Sequence, residues 1–229
     1  MDFYGLQKVT LLDYPNEIAT TLFTFGCNMR CQFCHNPELV INEGKNNPKK
    51  YNFDEIKSFF EKRKNKLTGV CISGGEPLIH EEIAYAIKEI KNLGLKVKID
   101  TNGSNPLFLK NINVDYIAMD IKTSLDRYEL VNFVGEGDIK NLIKESIDFL
   151  INSDMNYEFR TTAFPGIFSI DDLNAILKII KGAKRYNIIQ FRPTKKLLDK
   201  NVKGVSPYSD EIINNMRQMI LDNGIETIF

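Results

Sequence analysis

Little in this sequence leans toward any one kind of partner. Lys and Arg number 30 in 229 residues and Asp and Glu also number 30, so the formal net charge is zero at neutral pH. No global field draws the chain to nucleic acid or to an anionic membrane surface, and neither is expected as a partner. No apolar run approaches the roughly 18 residues a membrane-spanning helix requires. The opening Met1-Asp2-Phe3-Tyr4 lacks the basic stretch and apolar core of a secretory leader, and the expectation is a cytoplasmic protein. There is no internal repeat, and the only biased tract is a polar patch over 42–52, which reads as a solvated loop. Histidine is limited to His35 and His80. Cysteine is limited to four residues, yet three of them fall within eight positions. Clustered thiols without a leader argue for metal chemistry in a reducing compartment rather than for disulfides.

Those three are Cys27, Cys31 and Cys34, spaced C-x3-C-x2-C. They follow an apolar run, 18–25, whose β-branched and aromatic content reads as a buried strand. The cysteines therefore sit on a loop leaving a strand end, with Gly26 allowing a tight turn. Three thiolates held close together need a cation. Zinc prefers four protein ligands, and the fourth here would be His35, adjacent to Cys34, or the distant Cys71. A cubane cluster held by three cysteines leaves one iron open for chemistry. Cys71 itself lies inside a predicted strand and reads as a small buried hydrophobe.

The rest of the chain alternates. Strands are predicted over 18–25, 68–73, 96–100, 115–121, 157–164 and 185–191, with helices over 53–64, 79–93, 107–112, 139–151, 170–180 and 209–222. Such alternation implies an α/β fold with a parallel sheet and right-handed crossovers. An open partial barrel and a doubly wound sheet both fit that string. Length and composition suggest a single domain over 1–229, with a core of about 16–193 and a C-terminal helical extension from 194.

In such folds functional residues gather where strands end. The second predicted strand leads into Ser73-Gly74-Gly75-Glu76-Pro77, two permissive glycines and a carboxylate suited to an ammonium. The third leads into Asp100-Thr101-Asn102-Gly103 and the fourth ends in Met119-Asp120-Ile121-Lys122. Either aspartate alone reads as a cap or turn residue. Together on one rim they place negative charge suited to a sulfonium, a ribose diol or a metal ion. Arg160 on the fifth strand either faces inward to an anion or points out between helices.

C-x3-C-x2-C with Phe33 before the last cysteine resembles the signature of the radical S-adenosylmethionine (SAM) enzymes, and Cys34-His35-Asn36 is similar to their glycyl-radical-enzyme activases. The strand-end motifs extend that resemblance over nearly the whole chain, from 11–15 to 191–193. It implies a partial (β/α)6 barrel and a [4Fe-4S] cluster on Cys27, Cys31 and Cys34, with SAM on the open iron. It implies Gly74, Gly75 and Glu76 at the SAM amino group, and Asp100 and Asn102 toward the ribose or a monovalent cation. Asp120, Ile121 and Lys122 would meet SAM and that cation, and Arg160 the SAM carboxylate. Phe33 would pack near the adenine or in the core, with His35 a neighbour of the cluster. No side chain is needed as a proton-transfer catalyst. The implied activity is reductive cleavage of SAM and formation of a glycyl radical on a partner. That partner would be a glycyl-radical enzyme of the anaerobic ribonucleotide reductase or pyruvate formate-lyase type, with a flavodoxin or ferredoxin-type electron donor. Segments 128–138 and 195–203 are candidate docking edges.

Two departures stand out. The histidine that pyruvate formate-lyase activase carries after its sixth strand is absent, with Lys195-Lys196 near that place. The 42–52 loop is too short for an added ferredoxin-like domain. The competing readings are a small-molecule radical SAM enzyme, such as 7-carboxy-7-deazaguanine synthase, and a non-catalytic iron–sulfur or zinc protein.

Overall fold

The structure, a computed structural model, describes residues 1–41, 49–194 and 196–228. Most of the polar patch, 42–48, and Lys195 of the second candidate docking edge lie outside the described residues.

Strands β1 (Asp2–Phe3) and β2 (Gly5–Thr10) precede β3 (Ala19–Thr24). A short helix α1 (Pro37–Val40), strand β4 (Tyr51–Asn52) and helix α2 (Phe53–Glu61) lead to β5 (Gly69–Gly74). Then come α3 (Ile83–Asn92), β6 (Lys96–Thr101), α4 (Pro106–Asn111), β7 (Tyr116–Asp120), α5 (Ile139–Ile151) and β8 (Tyr157–Ala163). Helix α6 (Ile170–Ile179), β9 (Tyr186–Gln190) and α7 (Asp210–Asp222) complete the order, with 3₁₀ turns at Pro77–Ile79, Leu125–Val131 and Lys200–Gly204. Seven strands hydrogen-bond in the order β2-β3-β5-β6-β7-β8-β9, while β1 pairs with β4.

All six expected strands form. The strands missed from sequence are β1, β4, which ends the patch read as a loop, and β2, which runs antiparallel to β3. Its Gln7, Lys8 and Val9 are exposed, so no buried apolar face marks it. The helix expected over 79–93 is also corrected. Glu76 accepts from the Leu78 N–H at 3.1 Å and, with Pro77 behind it, closes a separate turn before α3 begins at Ile83.

The chain divides into two compact units. The first comprises Met1–Cys27, Glu38–Thr101 and Phe108–Ile117. Within it β3, β5 and β6 run parallel, with Thr21 beside Cys71 and Cys71 beside Lys98. Helix α3 packs on β6 and α2 packs on α3. Ile83, Ala86, Ile87 and Ile90 recur at helical spacing on the buried face of α3. Each such isoleucine contributes about 1.5–3 kcal/mol by leaving water.

The second unit comprises Asn28–Pro37, Asn102–Leu107 and Ala118–Phe229. Here β8 and β9 are parallel, and α7 packs against both β9 and α6. Ser169 and Asp172 form a reciprocal capping box at the start of α6. Asp172 also accepts from the hydroxyls of Thr123 at 3.1 Å and Ser124 at 2.6 Å, and from Arg127 at 2.5 Å, anchoring the segment after β7.

Candidate functional site

Parallel pairing makes β3 and β5 end side by side, with Thr24 opposite Gly74. The two exits then lock together. Gly75 N–H donates to Thr24 O at 3.0 Å and Glu76 N–H to Gly26 O at 2.8 Å. Gly26, at φ +93°, donates to Leu39 O at 2.7 Å. Neither glycine of the turn is replaceable. A β-carbon on Gly75 would lie 1.9 Å from Gly26 O; one on Gly74, at φ +113°, would lie 2.5 Å from Thr24 N. The turn is thus the brace against which the chain leaves β3 toward Cys27.

Glu76 is buried, and one of its carboxylate oxygens accepts from both Leu78 N–H and the Thr101 hydroxyl, the latter at 2.7 Å. It ties the β5 exit to the end of β6. On β6, Lys98 and Asp100 share a face, as residues two apart must. Lys98 is buried, and its ammonium pairs with Asp100 and lies 3.8 Å from Cys71 Sγ. That pairing was missed from sequence, although the K-x-D spacing on a strand carried the signal. His80 Nε2 is buried with no hydrogen-bond partner, and the ring's Cε1 lies 3.9 Å from where a Gly26 β-carbon would be.

In the second unit Cys31 and Cys34 close a turn, with Cys34 N–H donating to Cys31 O at 3.0 Å. The loop is held on three sides. Val134 N–H donates to Asn28 O at 2.9 Å, and Arg30 N–H reaches Asn132 O at 3.1 Å. Leu198 and Asp199 N–H groups donate to Cys34 O at 3.2 Å and Gln32 O at 3.1 Å. The two candidate docking edges thus include residues that brace the cysteine loop. Asn102 donates to Asn28 Oδ1 at 2.9 Å and accepts from Ser104 N–H at 2.9 Å, while Asn28 donates to Ser104 Oγ at 2.7 Å. Sequence gave no sign that Asn28 or Ser104 would serve here.

Asp120 sits between two cations, 2.9 Å from Arg160 Nε and 2.7 Å from Lys122 Nζ. Arg160 therefore faces this carboxylate rather than pointing out between helices. Burial would raise the Asp120 pKa, but Arg160 and Lys122 outweigh it and hold the carboxyl well below its usual range. Burial would lower Lys122, and Asp120 and Cys31 outweigh that, holding the ammonium above its usual range. Burial likewise pushes the Cys31 thiol up, while the Lys122 charge pulls it back. The Ile121 side chain is fully buried, so it offers only its backbone, whose N–H donates to Arg160 O at 2.8 Å. Phe33 is core: it stacks on Phe164 at 5.2 Å, and Phe164 meets Phe191 edge-on at 4.9 Å. His35 packs edge-on against Phe191 at 5.8 Å, and burial lowers its pKa.

The family model for the radical SAM superfamily matches residues 21–188, most of the chain. The chain belongs to the radical SAM superfamily. A Methanocaldococcus jannaschii protein named as a glycyl-radical enzyme activating enzyme, MJ1227, is 31% identical over 228 residues, covering 96% of this chain and 92% of its own. A pyruvate formate-lyase-activating enzyme of Clostridium pasteurianum is 25% identical over 199 residues, covering 82% and 81%. Among solved structures, Streptococcus suis SuiB bound to S-adenosylmethionine superposes with a TM-score of 0.65 at 14% identity. That match covers 90% of this chain but 49% of SuiB, and it speaks for the fold alone. The α/β fold with a mainly parallel sheet is as the alternation of elements implied, and its partial-barrel type is as the resemblance implied.

Membership of this radical SAM superfamily implies a [4Fe-4S] cluster and SAM. The donor chemistry suits a cluster: Cys27, Cys31 and Cys34 are half-buried thiols in no disulfide, and His80 Nε2 is a buried polar atom with no hydrogen-bond partner. Among the described residues, no three His, Cys, Asp or Glu side chains gather as ligands of one metal ion. Cys71 is fully buried in β5, as expected of a small hydrophobe. Among the described residues, no helix is long and apolar enough to cross a membrane.

Proposed function

We propose that this radical SAM enzyme is an activase that forms a glycyl radical on a partner protein. One observation carries the reading: a relative named for that activity matches 96% of the chain at 31% identity. Cys27, Cys31 and Cys34 would hold the [4Fe-4S] cluster. Cluster and SAM, when bound, supply one-electron cleavage chemistry and a radical able to take a hydrogen atom from a glycine Cα. The chain's own part is to bind, orient and exclude water. The paired exits of β3 and β5 hold backbone groups rigid where a ligand ammonium could settle. Arg160 and Lys122 flank Asp120, cations of the kind that hold a ligand carboxylate. Asp100 and Asp120 each already carry a protein cation, which argues against a monovalent cation beside them. The electron donor would be a flavodoxin or ferredoxin-type protein.

Anaerobic reconstitution tests the reading. Loaded with iron and sulfide and given SAM and a reductant, the protein should release 5′-deoxyadenosine and methionine. Mixed with its partner glycyl-radical enzyme, it should generate the electron paramagnetic resonance doublet of a glycyl radical. Turnover of a small molecule without any partner protein would instead favour a deazaguanine-type enzyme. A cluster whose spectrum ignores SAM would end the enzymatic reading.

A further inference from the structure

Among the buried side-chain atoms of the first unit, His80 Nε2 is an anomaly. It is shut away from water and has no hydrogen-bond partner. Leaving a buried polar nitrogen unpaired is costly, and folded chains rarely keep one unsatisfied. Its position suggests a purpose. His80 closes the 3₁₀ turn Pro77–Ile79 that Glu76 caps, and its backbone is fixed on both sides. The His80 N–H donates to Pro77 O at 3.2 Å, and His80 O accepts from Ile83 N–H at 3.1 Å. The ring lies near Gly26, its Cε1 3.9 Å from the β-carbon position of that glycine, where Ile79 Cδ1 is at 3.7 Å. Gly26 is the residue before Cys27, and its φ of +93° is a conformation that a side chain would strain.

We propose that His80 is a positioning residue for the cluster, its Nε2–H donating to sulfur at the Cys27 end of the loop. The proposal rests on the reading of Cys27, Cys31 and Cys34 as cluster ligands. Thiolate and sulfide are weak acceptors but carry negative charge, so a buried N–H aimed at them gains more than a neutral pair would. Hydrogen bonds to cluster sulfur favour the more negative, reduced state and so raise the reduction potential. Without the cluster, the same N–H is an unsatisfied donor and a burden on the apo-protein. His80 therefore works in opposite senses in the two states.

That opposition is the test. His80→Leu removes the donor and keeps an apolar side chain, and His80→Gln keeps an N–H at similar reach. Three quantities are measured: the denaturant midpoint of the apo-protein, the rate at which a chelator strips iron from the reconstituted protein, and the cluster's midpoint potential by redox titration. His80→Leu should leave the apo-protein as stable as wild type or more so, lose iron about tenfold faster, and show a more negative potential. His80→Gln should restore the slower iron loss and much of the potential. If His80→Leu weakens the apo-protein while leaving potential and iron loss unchanged, His80 is merely structural and the proposal is wrong. Should His80→Leu fail to fold, a His80→Gln protein with wild-type iron loss and potential supports the proposal, and one with neither overturns it. A wild-type chain that takes up no cluster overturns both this inference and the functional reading. A loaded cluster indifferent to either substitution overturns this inference alone.

Discussion

At the scale of single residues, the Asp120 group brings three charges together. Its carboxylate is paired with Arg160 and Lys122, and neither cation is free in water. Asp120→Asn should destabilise the protein by about 1–3 kcal/mol, because two partly buried donors lose a charged acceptor. Chemical denaturation at neutral pH would measure it. The same pairing sets a pH dependence. The folded carboxyl titrates below the unfolded one, which lies near 3.9. Between those values the unfolded chain binds more protons, so the stability from pairing is complete above about pH 4 and is lost as the pH falls further. The Asp120→Asn stability curve should be flatter there, and an unchanged acid limb would refute the assignment. Asn28 offers a neutral comparison. Asn28→Ala removes its side-chain bonds to Asn102 and Ser104, with an expected loss of about 1–3 kcal/mol and faster iron loss from the reconstituted loop.

At the scale of elements, two junctions hold the strand ends in place. Gly75→Ala would drive a β-carbon into Gly26 O, a backbone atom that cannot turn aside. The expected cost is about 3 kcal/mol or more. Gly94→Ala is the control: its φ of +80° is also positive, but no heavy atom lies within 4 Å of the new carbon. That variant should lose only about 1–2 kcal/mol from backbone strain. Equal thermal shifts in the two variants would mean that close approach at the β5 exit does not matter. The other junction is Asp172, which caps α6 and gathers the hydroxyls after β7. Asp172→Ala strands several buried donors at once, and a loss of about 3 kcal/mol or more is expected on urea unfolding.

At the scale of the molecule, charge balance is the governing property. With 30 basic and 30 acidic side chains and a sequence pI near 6.7, the chain has little repulsion to keep copies apart near neutral pH. Solubility at low salt should be least within about one pH unit of 6.7 and should rise at pH 8. A flat solubility profile across that range would show that local patches, not net charge, control association.

Legible in the order of residues alone were the alternation of strands and helices, the placing of motifs at strand exits, and the cysteine loop. Apolar periodicity is a local property and survives in the order of residues, so β3, β5, β6, β7, β8 and β9 were legible to within a few positions. The glycines at 74 and 75 were legible too, because a demand for an absent β-carbon leaves only glycine. Strand β2 was not, since an exposed edge needs no buried face. The tertiary structure alone decided the partners. That Lys98 lies against Cys71, that Asn28 bonds Asn102 and Ser104, and that His80 Nε2 is buried without a hydrogen-bond partner depend on which strand and turn ends meet. Strand ends far apart in sequence meet only through sheet registry, and no local pattern encodes the distance between two side chains brought together that way.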